Sequence, residues 1–254
     1  MRHLLWLLAA LVVSPTWAFG FNGHKAFCQA AYELTSPKTQ QALDKVVASQ
    51  GKYGSFAESC TWADDIKGDH HWDWSKPLHY VNIPRGASKL TDANCPATGC
   101  VLSGIRHYQA LLTQNPNDWQ ALFFLSHFIG DLHQPLHVSY ADDLGGNRAL
   151  GQFFGEEKNL HGIWDYGMLG HMGGDDWKGF GHKLAGLANA KDAGGTPLAW
   201  GNQSMAITQQ VYRYYQGHKT MGQEYVDHFG PVLEQRMEAG AERLAKVLDS
   251  IYDK

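Results

Sequence analysis

The run His127-Phe-Ile-Gly-Asp131-Leu-His133-Gln-Pro-Leu-His137 constrains this chain more than any other stretch. His127 and Asp131 are four residues apart, so a helix projects both from one face, one turn apart. Pro135 lacks an amide proton and its ring meets the carbonyl four residues back. It should therefore end or kink that helix and turn His137 toward the same spot. Further on, His161-Gly-Ile-Trp-Asp165 repeats the His-x-x-x-Asp spacing. Imidazole with carboxylate and no thiolate suits zinc in a catalytic rather than a structural role. The run places three imidazoles and a carboxylate where one divalent metal, or two adjacent ones, could be held.

Residues 1–18 read as a secretory signal. Arg2 opens it, Leu4 to Val13 form its apolar run, and Thr16-Trp17-Ala18 resembles a signal-peptidase site. The run is too short to span a bilayer comfortably, and no later segment is apolar for long enough. The expected mature chain is a single domain, 19–254, secreted or periplasmic and without stable membrane association. Trp17 is the rival start. In an exported chain Cys28, Cys60, Cys95 and Cys100 read as two disulfides. Three pairings are open; Cys95 with Cys100 looks like a loop staple and leaves Cys28 with Cys60. None of the four has the C-x-x-C spacing of a zinc knuckle. The net charge of −4 does not advertise the basic patch usual for nucleic-acid binding. It leaves a phosphate substrate open, because bound metals can supply positive charge.

Helical signals dominate, and no repeat or linker divides the chain. Ser36-Pro37 and Thr196-Pro197 each offer an N-cap followed by proline at the first helical position. They precede expected helices over Thr39 to Ser49 and onward to about Gly217. Ser103 is a candidate cap for Gly104 to Gln114, and Asn117 for Asp118 to Leu132, where Leu122, Leu125 and Ile129 keep helical spacing. Glu224 to Tyr252 reads as a long helix with a possible break near Gly230-Pro231. Loops are expected at 84–102 and 141–155. The expected fold class is all-α.

Further donors stand in Phe19-Gly-Phe-Asn-Gly-His24, in Trp62-Ala-Asp64-Asp65-Ile-Lys67, read as helical, and in Leu78-His79-Tyr80-Val81-Asn82, read as extended. With the His127 to His137 run, Gly145-Gly-Asn147 and Asn159-Leu-His-x-x-Trp-Asp165, in that order, the sequence resembles the S1/P1 nuclease family. The resemblance implies the helical fold shared with bacterial zinc phospholipases C, and three zinc ions. By position, Asp64, His79, His127 and Asp131 would hold the first zinc, and His137, His161 and Asp165 the second. The α-amino group and carbonyl of Phe19, with His24 and a bridging Asp131, would hold the third. Asp64, Asp131 and Lys67 would serve catalysis. Lys67 and Asn147 would contact phosphate, Tyr80 would stack a base, and Asn82 would face it.

The implied activity is hydrolysis of single-stranded DNA and RNA to 5′-phosphate products, and of 3′-nucleotides, by a monomer. Asn82 stands where fungal members carry Asp, which leaves base preference open. Phospholipase C is the runner-up. Those enzymes carry Glu where this chain has Asp165, and place their first histidine farther from the N-terminus. His133 is expected to orient a ligand or cap the helix end. His70 and His71 look metal-like in isolation but are read as loop residues.

Overall fold

The computed structural model describes residues 19–189 and 193–254; the expected signal segment lies outside them. In chain order the helices are α1 (Gly20–Leu34), α2 (Pro37–Ala48), α3 (Phe56–Ser59), α4 (Trp62–Asp65), α5 (Val101–Gln114) and α6 (Trp119–His133). They continue with α7 (Leu160–Gly162), α8 (Met168–His171), α9 (Trp177–Leu187), α10 (Pro197–Gly217) and α11 (Gln223–Tyr252). Short 3-10 turns cover Ile66–Gly68, His70–His79 and Pro135–His137, and a π-helical turn covers Ile163–Gly167. The fold is mainly helical, as expected.

Helix α6 is the axis of the molecule. Every residue from Ala121 to His133 is buried, which is the pattern of a helix surrounded on all sides. It packs against α5, α10 and α11, with α4 and α1 closing the remaining face. Its polar residues are therefore forced into the interior, where each needs a partner. The Cys28–Cys60 disulfide fastens α1 to the end of α3, and Cys95–Cys100 closes its own short loop.

Two small sheets accompany the helices. Strands β1 (Val81–Ile83) and β2 (Val138–Tyr140) run parallel, with Val81 opposite Val138 and Asn82 opposite Ser139. Strand β3 (Leu150–Phe153) lies between β4 (Glu156–Asn159) and β5 (Thr220–Met221). The first pair matters for the site, since His79 lies just before β1 and His137 immediately before β2.

Several boundaries differ from those expected. Ser36 and Thr196 do cap, accepting from the amides of Thr39 and Ala199. Helix α5 begins at Val101, because Ser103 sits in the first turn and accepts from the amide of Cys100. Asp118, not Asn117, caps α6, accepting from Ala121 at 3.0 Å. Helix α11 runs unbroken through Pro231, whose exposed ring gives up one backbone hydrogen bond at the solvent side. His79 ends a 3-10 helix rather than lying in an extended stretch, and Asp64 sits in a single helical turn. Among the described residues no helix is long and apolar enough to cross a membrane.

Candidate metal centre

The donors converge from six segments: His24 from α1, Asp64 from α4, His79 from the 3-10 helix, His127 and Asp131 from α6, His137 from the turn at Pro135, and His161 and Asp165 from α7 and the π turn. None is more than 5% exposed. Among the described residues they form three groups whose candidate ligand atoms lie within 4.8 Å of one another: His24, Asp64 and His127; His79, His127 and Asp131; His137, His161 and Asp165. Pro135 turns His137 back toward α6, leaving its Nδ1 3.7 Å from Asp131 Oδ1. His127 Nε2 stands 3.4 Å from both Asp64 Oδ1 and Asp131 Oδ2. His24 Nε2 is 3.4 Å from Asp131 Oδ1, and its ring stacks on His127 at 3.8 Å. His161 Nε2 and Asp165 Oδ2 are 3.2 Å apart.

Three of these imidazoles are oriented by main chain. His127 Nδ1 donates to the carbonyl of Cys60, His137 Nδ1 to that of His79, and His161 Nδ1 to that of Gly145, each at 2.7 Å. Each bond fixes the tautomer with the lone pair on Nε2, facing inward. The Nε2 atoms of His127, His137 and His161, both nitrogens of His24, Asp64 Oδ2 and Asp165 Oδ2 are buried without a hydrogen-bond partner. A buried polar atom left unpaired costs roughly 1–3 kcal/mol, so a cluster of them needs a ligand to offset it. Imidazole nitrogens and carboxylate oxygens aimed at common points are the donor set of a borderline divalent metal. The residues fit such an ion.

Electrostatics point the same way. Burial, with Lys67 close by, pushes the His79 imidazole down to about 3, and burial pushes His137 down to about 4. Both rings therefore stay neutral, as metal ligation requires. Burial alone would raise the carboxyl of Asp131, but His127, His137 and His79 outweigh it and hold Asp131 well below the usual carboxylate range. Asp64 is held low in the same way, with Lys67 the largest opposing influence and its Nζ 2.5 Å from Asp64 Oδ1. Burial works against charge on His127 and His161, yet their neighbouring carboxylates raise both.

The other expected residues are distributed as follows. Lys67 lies one turn after Asp64 and is largely buried against it. Tyr80 is 40% exposed beside His79. Asn82 is half-buried in β1, and Asn147 is half-buried with its Nδ2 donating to Leu144 O at 2.8 Å. Phe19 is buried as the N-cap of α1, and its carbonyl accepts from Gly23 at 3.0 Å. Gly20, beside it, packs against Tyr166 and the backbone of Asp165. His133 faces away from the cluster: Nδ1 donates to Ile129 O and Nε2 accepts from Arg243. His70 and His71 are exposed in the 3-10 helix, with His70 paired to Asp73.

One residue that the sequence reading passed over is Gln134. Fully buried, it donates from Nε2 to Asp165 Oδ1 at 2.5 Å and accepts from Leu136 N at Oε1. The backbone donor settles which way the amide points, so its NH2 faces the carboxylate and leaves Oδ2 of Asp165 for the cluster. Its place between His133 and His137 was the available signal.

The S1/P1 nuclease family profile matches residues 19–253. Endonuclease 2 of Arabidopsis thaliana is 29% identical over 98% of this chain and 94% of that protein. Nuclease S1 of Aspergillus oryzae is 32% identical over 66% of this chain and 61% of its own length. Nuclease P1 of Penicillium citrinum is 31% identical over 58% and 57% respectively. With buried His/Asp groups open to a metal at its centre and a family match across nearly every described residue, the chain belongs to the S1/P1 nuclease family, a family of hydrolytic nucleases.

Proposed function

We propose that this chain is an exported, zinc-dependent nuclease that cleaves single-stranded DNA and RNA to 5′-phosphate products and also acts on 3′-nucleotides. The observation that carries the reading is the set of inward-facing, unpartnered imidazole nitrogens and carboxylate oxygens around Asp131. Asp64, His79, His127 and Asp131 would hold one zinc, and His137, His161 and Asp165 a second. His24 and Asp131, with the α-amino group and carbonyl of a processed Phe19, would hold a third. An α-amino nitrogen has a lone pair to offer, whereas the same atom in a peptide bond has its pair delocalised into the carbonyl. Cleavage after Ala18 therefore belongs to the proposal. Zinc in these groups supplies Lewis acidity: it acidifies water and offsets charge on phosphoryl oxygens.

The chain's own residues do the rest. Lys67 brings a cation to the edge of the cluster, where it can donate to a non-bridging phosphate oxygen. Asn147, past two glycines, offers an amide N–H to the same phosphate. Tyr80 gives a nucleobase a face to stack on, a contact worth about 1–3 kcal/mol that every base can make. A base has to leave its own stack to reach that ring, which favours single strands. Three carboxylates against three zincs leave a formal charge of about +3, a well for phosphate on an acidic protein.

One assay tests the reading: zinc-loaded and chelated protein on single-stranded DNA, duplex DNA, 3′-AMP and phosphatidylcholine. The expected result is zinc-dependent release of 5′-mononucleotides from the single strand, and of phosphate from 3′-AMP. Release of diacylglycerol in place of nucleotides would overturn it in favour of a phospholipase C.

A further inference from the structure

Leu144, Gly145 and Gly146 hold positive φ in succession, at 56°, 66° and 89°. A leucine in that region costs on the order of 1–3 kcal/mol, so the surroundings must hold the turn in place. They do so through Asp143. Its Oδ1 accepts from Gly146 N at 2.9 Å, and its Oδ2 accepts from the Tyr212 hydroxyl at 2.8 Å. Arg85 Nη2 pairs with Asp143 Oδ2 at 2.9 Å, and Arg85 also binds Asp142 through Nε at 2.6 Å and Nη2 at 2.8 Å. The guanidinium lies between two rings, 4.4 Å from the centroid of Tyr140 and 4.9 Å from that of Tyr212.

Three elements thus meet at one turn: the exit of β1, the end of β2, and α10. The turn in its place meets His161 twice: the Gly145 carbonyl takes the Nδ1 proton at 2.7 Å, and the Gly146 carbonyl accepts from the backbone N–H at 3.4 Å. A Cβ on Gly145 would stand 2.8 Å from Leu136 O and 3.8 Å from Asn82 Oδ1. The turn is therefore wedged between the segment leading to His137 and the strand that carries Asn82. Little slack remains between the clamp and the imidazole.

We propose that Asp143 is a positioning residue for His161: clamped by Arg85 and Tyr212, its carboxylate fixes the Leu144–Gly146 turn, whose carbonyl orients the imidazole. The proposal rests on the reading of His137, His161 and Asp165 as zinc ligands. Outer partners that orient a ligating histidine typically change metal affinity by about 10–100-fold when removed. The charged members of the clamp, Arg85 and Asp143, are partly exposed, while the flanking rings of Tyr140 and Tyr212 are buried and stay in place in the variants below. The effect of the clamp should appear in zinc retention before it appears in folding.

The test is the rate at which zinc-loaded protein releases metal to a chromophoric chelator, with thermal melting recorded alongside. Asp143→Ala should release part of its zinc about tenfold faster than wild type or more. Asp143→Asn keeps an acceptor for Gly146 N, so it should fall between the two. Arg85→Met keeps the stem between the two tyrosines and loses the charge; it should resemble Asp143→Asn. The control is Arg106→Gln, which breaks an exposed ion pair of similar length, 2.7 Å to Asp92, and should release zinc at the wild-type rate. If Asp143→Ala does not fold, the other two variants decide. Wild-type release rates in the folded clamp variants overturn the proposal, even where melting temperatures fall. A wild-type protein that holds no zinc overturns the ligand assignment instead.

Discussion

His127 donates its Nδ1 proton to the carbonyl of Cys60 at 2.7 Å, and the sulfur of Cys60 is bonded to Cys28 in α1. A cross-link and a candidate metal ligand therefore meet at one residue. The disulfide closes a separation of 32 residues, for which chain entropy gives about 3–4 kcal/mol of stability. Cys28→Ser with Cys60→Ser should lose roughly that amount and also loosen His127. The corresponding loss for Cys95 and Cys100, separated by 5, should be smaller, about 2 kcal/mol, with zinc content unchanged. Denaturant unfolding and metal analysis of the two double variants check both statements. Equal zinc content in both would separate the cross-link from the ligand.

Asp131→Asn should be the most damaging single change in the cluster. Oδ2 of Asp131 accepts from His79 at 2.8 Å, and Oδ1 stands 3.4 Å from His24 Nε2, so its charge faces two groups at once. The expected loss is at least a hundredfold in turnover, about 3 kcal/mol, together with loss of zinc. A purified variant with full zinc and near-normal activity would contradict the assignment.

Gln134→Glu should act on Asp165 alone. The backbone of Leu136 would still be accepted, but a second carboxylate oxygen would then face Asp165 Oδ1 where an amide now donates at 2.5 Å. Zinc affinity should fall by about 10–100-fold; Gln134→Met, which removes both the donor to Asp165 and the acceptor for Leu136 N but adds no charge, should lower it less. Competition titration against a chelator of known affinity measures both; equal losses would show that charge is not the cause.

The metal-free protein should be most stable near the ordinary histidine pKa of about 6.5. His79 and His137 sit at about 3 and about 4 in the fold. Their stabilisation is full above 6.5 and is lost as pH falls toward those values, because the unfolded chain takes up protons that the folded one refuses. Asp64 and Asp131, held low, add to the loss further down. His127 and His161 are raised, so their contribution is full below 6.5 and is lost as pH rises through their folded values. Each proton gives a slope of about 1.4 kcal/mol per pH unit. Bound zinc should remove the alkaline decline, since it takes neutral imidazole, and leave the acid one. Denaturant melts across the pH range with and without zinc read this directly, and a flat profile without metal would refute it.

Asn82→Asp should change base preference and spare zinc. The Asn82 amide is half-buried next to Gly145, and it can offer a donor or an acceptor, whereas a carboxylate only accepts. One exchanged hydrogen bond is worth about 1 kcal/mol, roughly fivefold between bases. Unchanged relative rates across four 3′-nucleotides would remove Asn82 from base contact.

Much of the cluster was legible because its rule is local. His127 with Asp131 and His161 with Asp165 follow from spacing, and Pro135 does to His137 what a proline must. The caps at Ser36 and Thr196 were legible for the same reason. Helix α1 was not, since Phe19 has no side-chain oxygen with which to announce a start. Pro231 misled because a proline within a helical run reads as a break, and only the tertiary setting shows that its side of α11 faces solvent. The Arg85–Asp143–Tyr212 clamp joins residues 58 and 69 apart in sequence, beyond the reach of any short motif.

The carbonyls of Cys60, His79 and Gly145 have a consequence for comparing this chain with its relatives. Each is an atom that any residue at that position would present. A ring oriented by such an atom owes its proton to the path of the chain. The letters at these positions are held for other reasons: Cys60 by its cross-link, His79 by its place in the cluster, and Gly145 by a φ of 66° with no room for a Cβ. A search for the supporting shell by matching letters will find its side-chain member, Gln134, and pass over the main-chain ones.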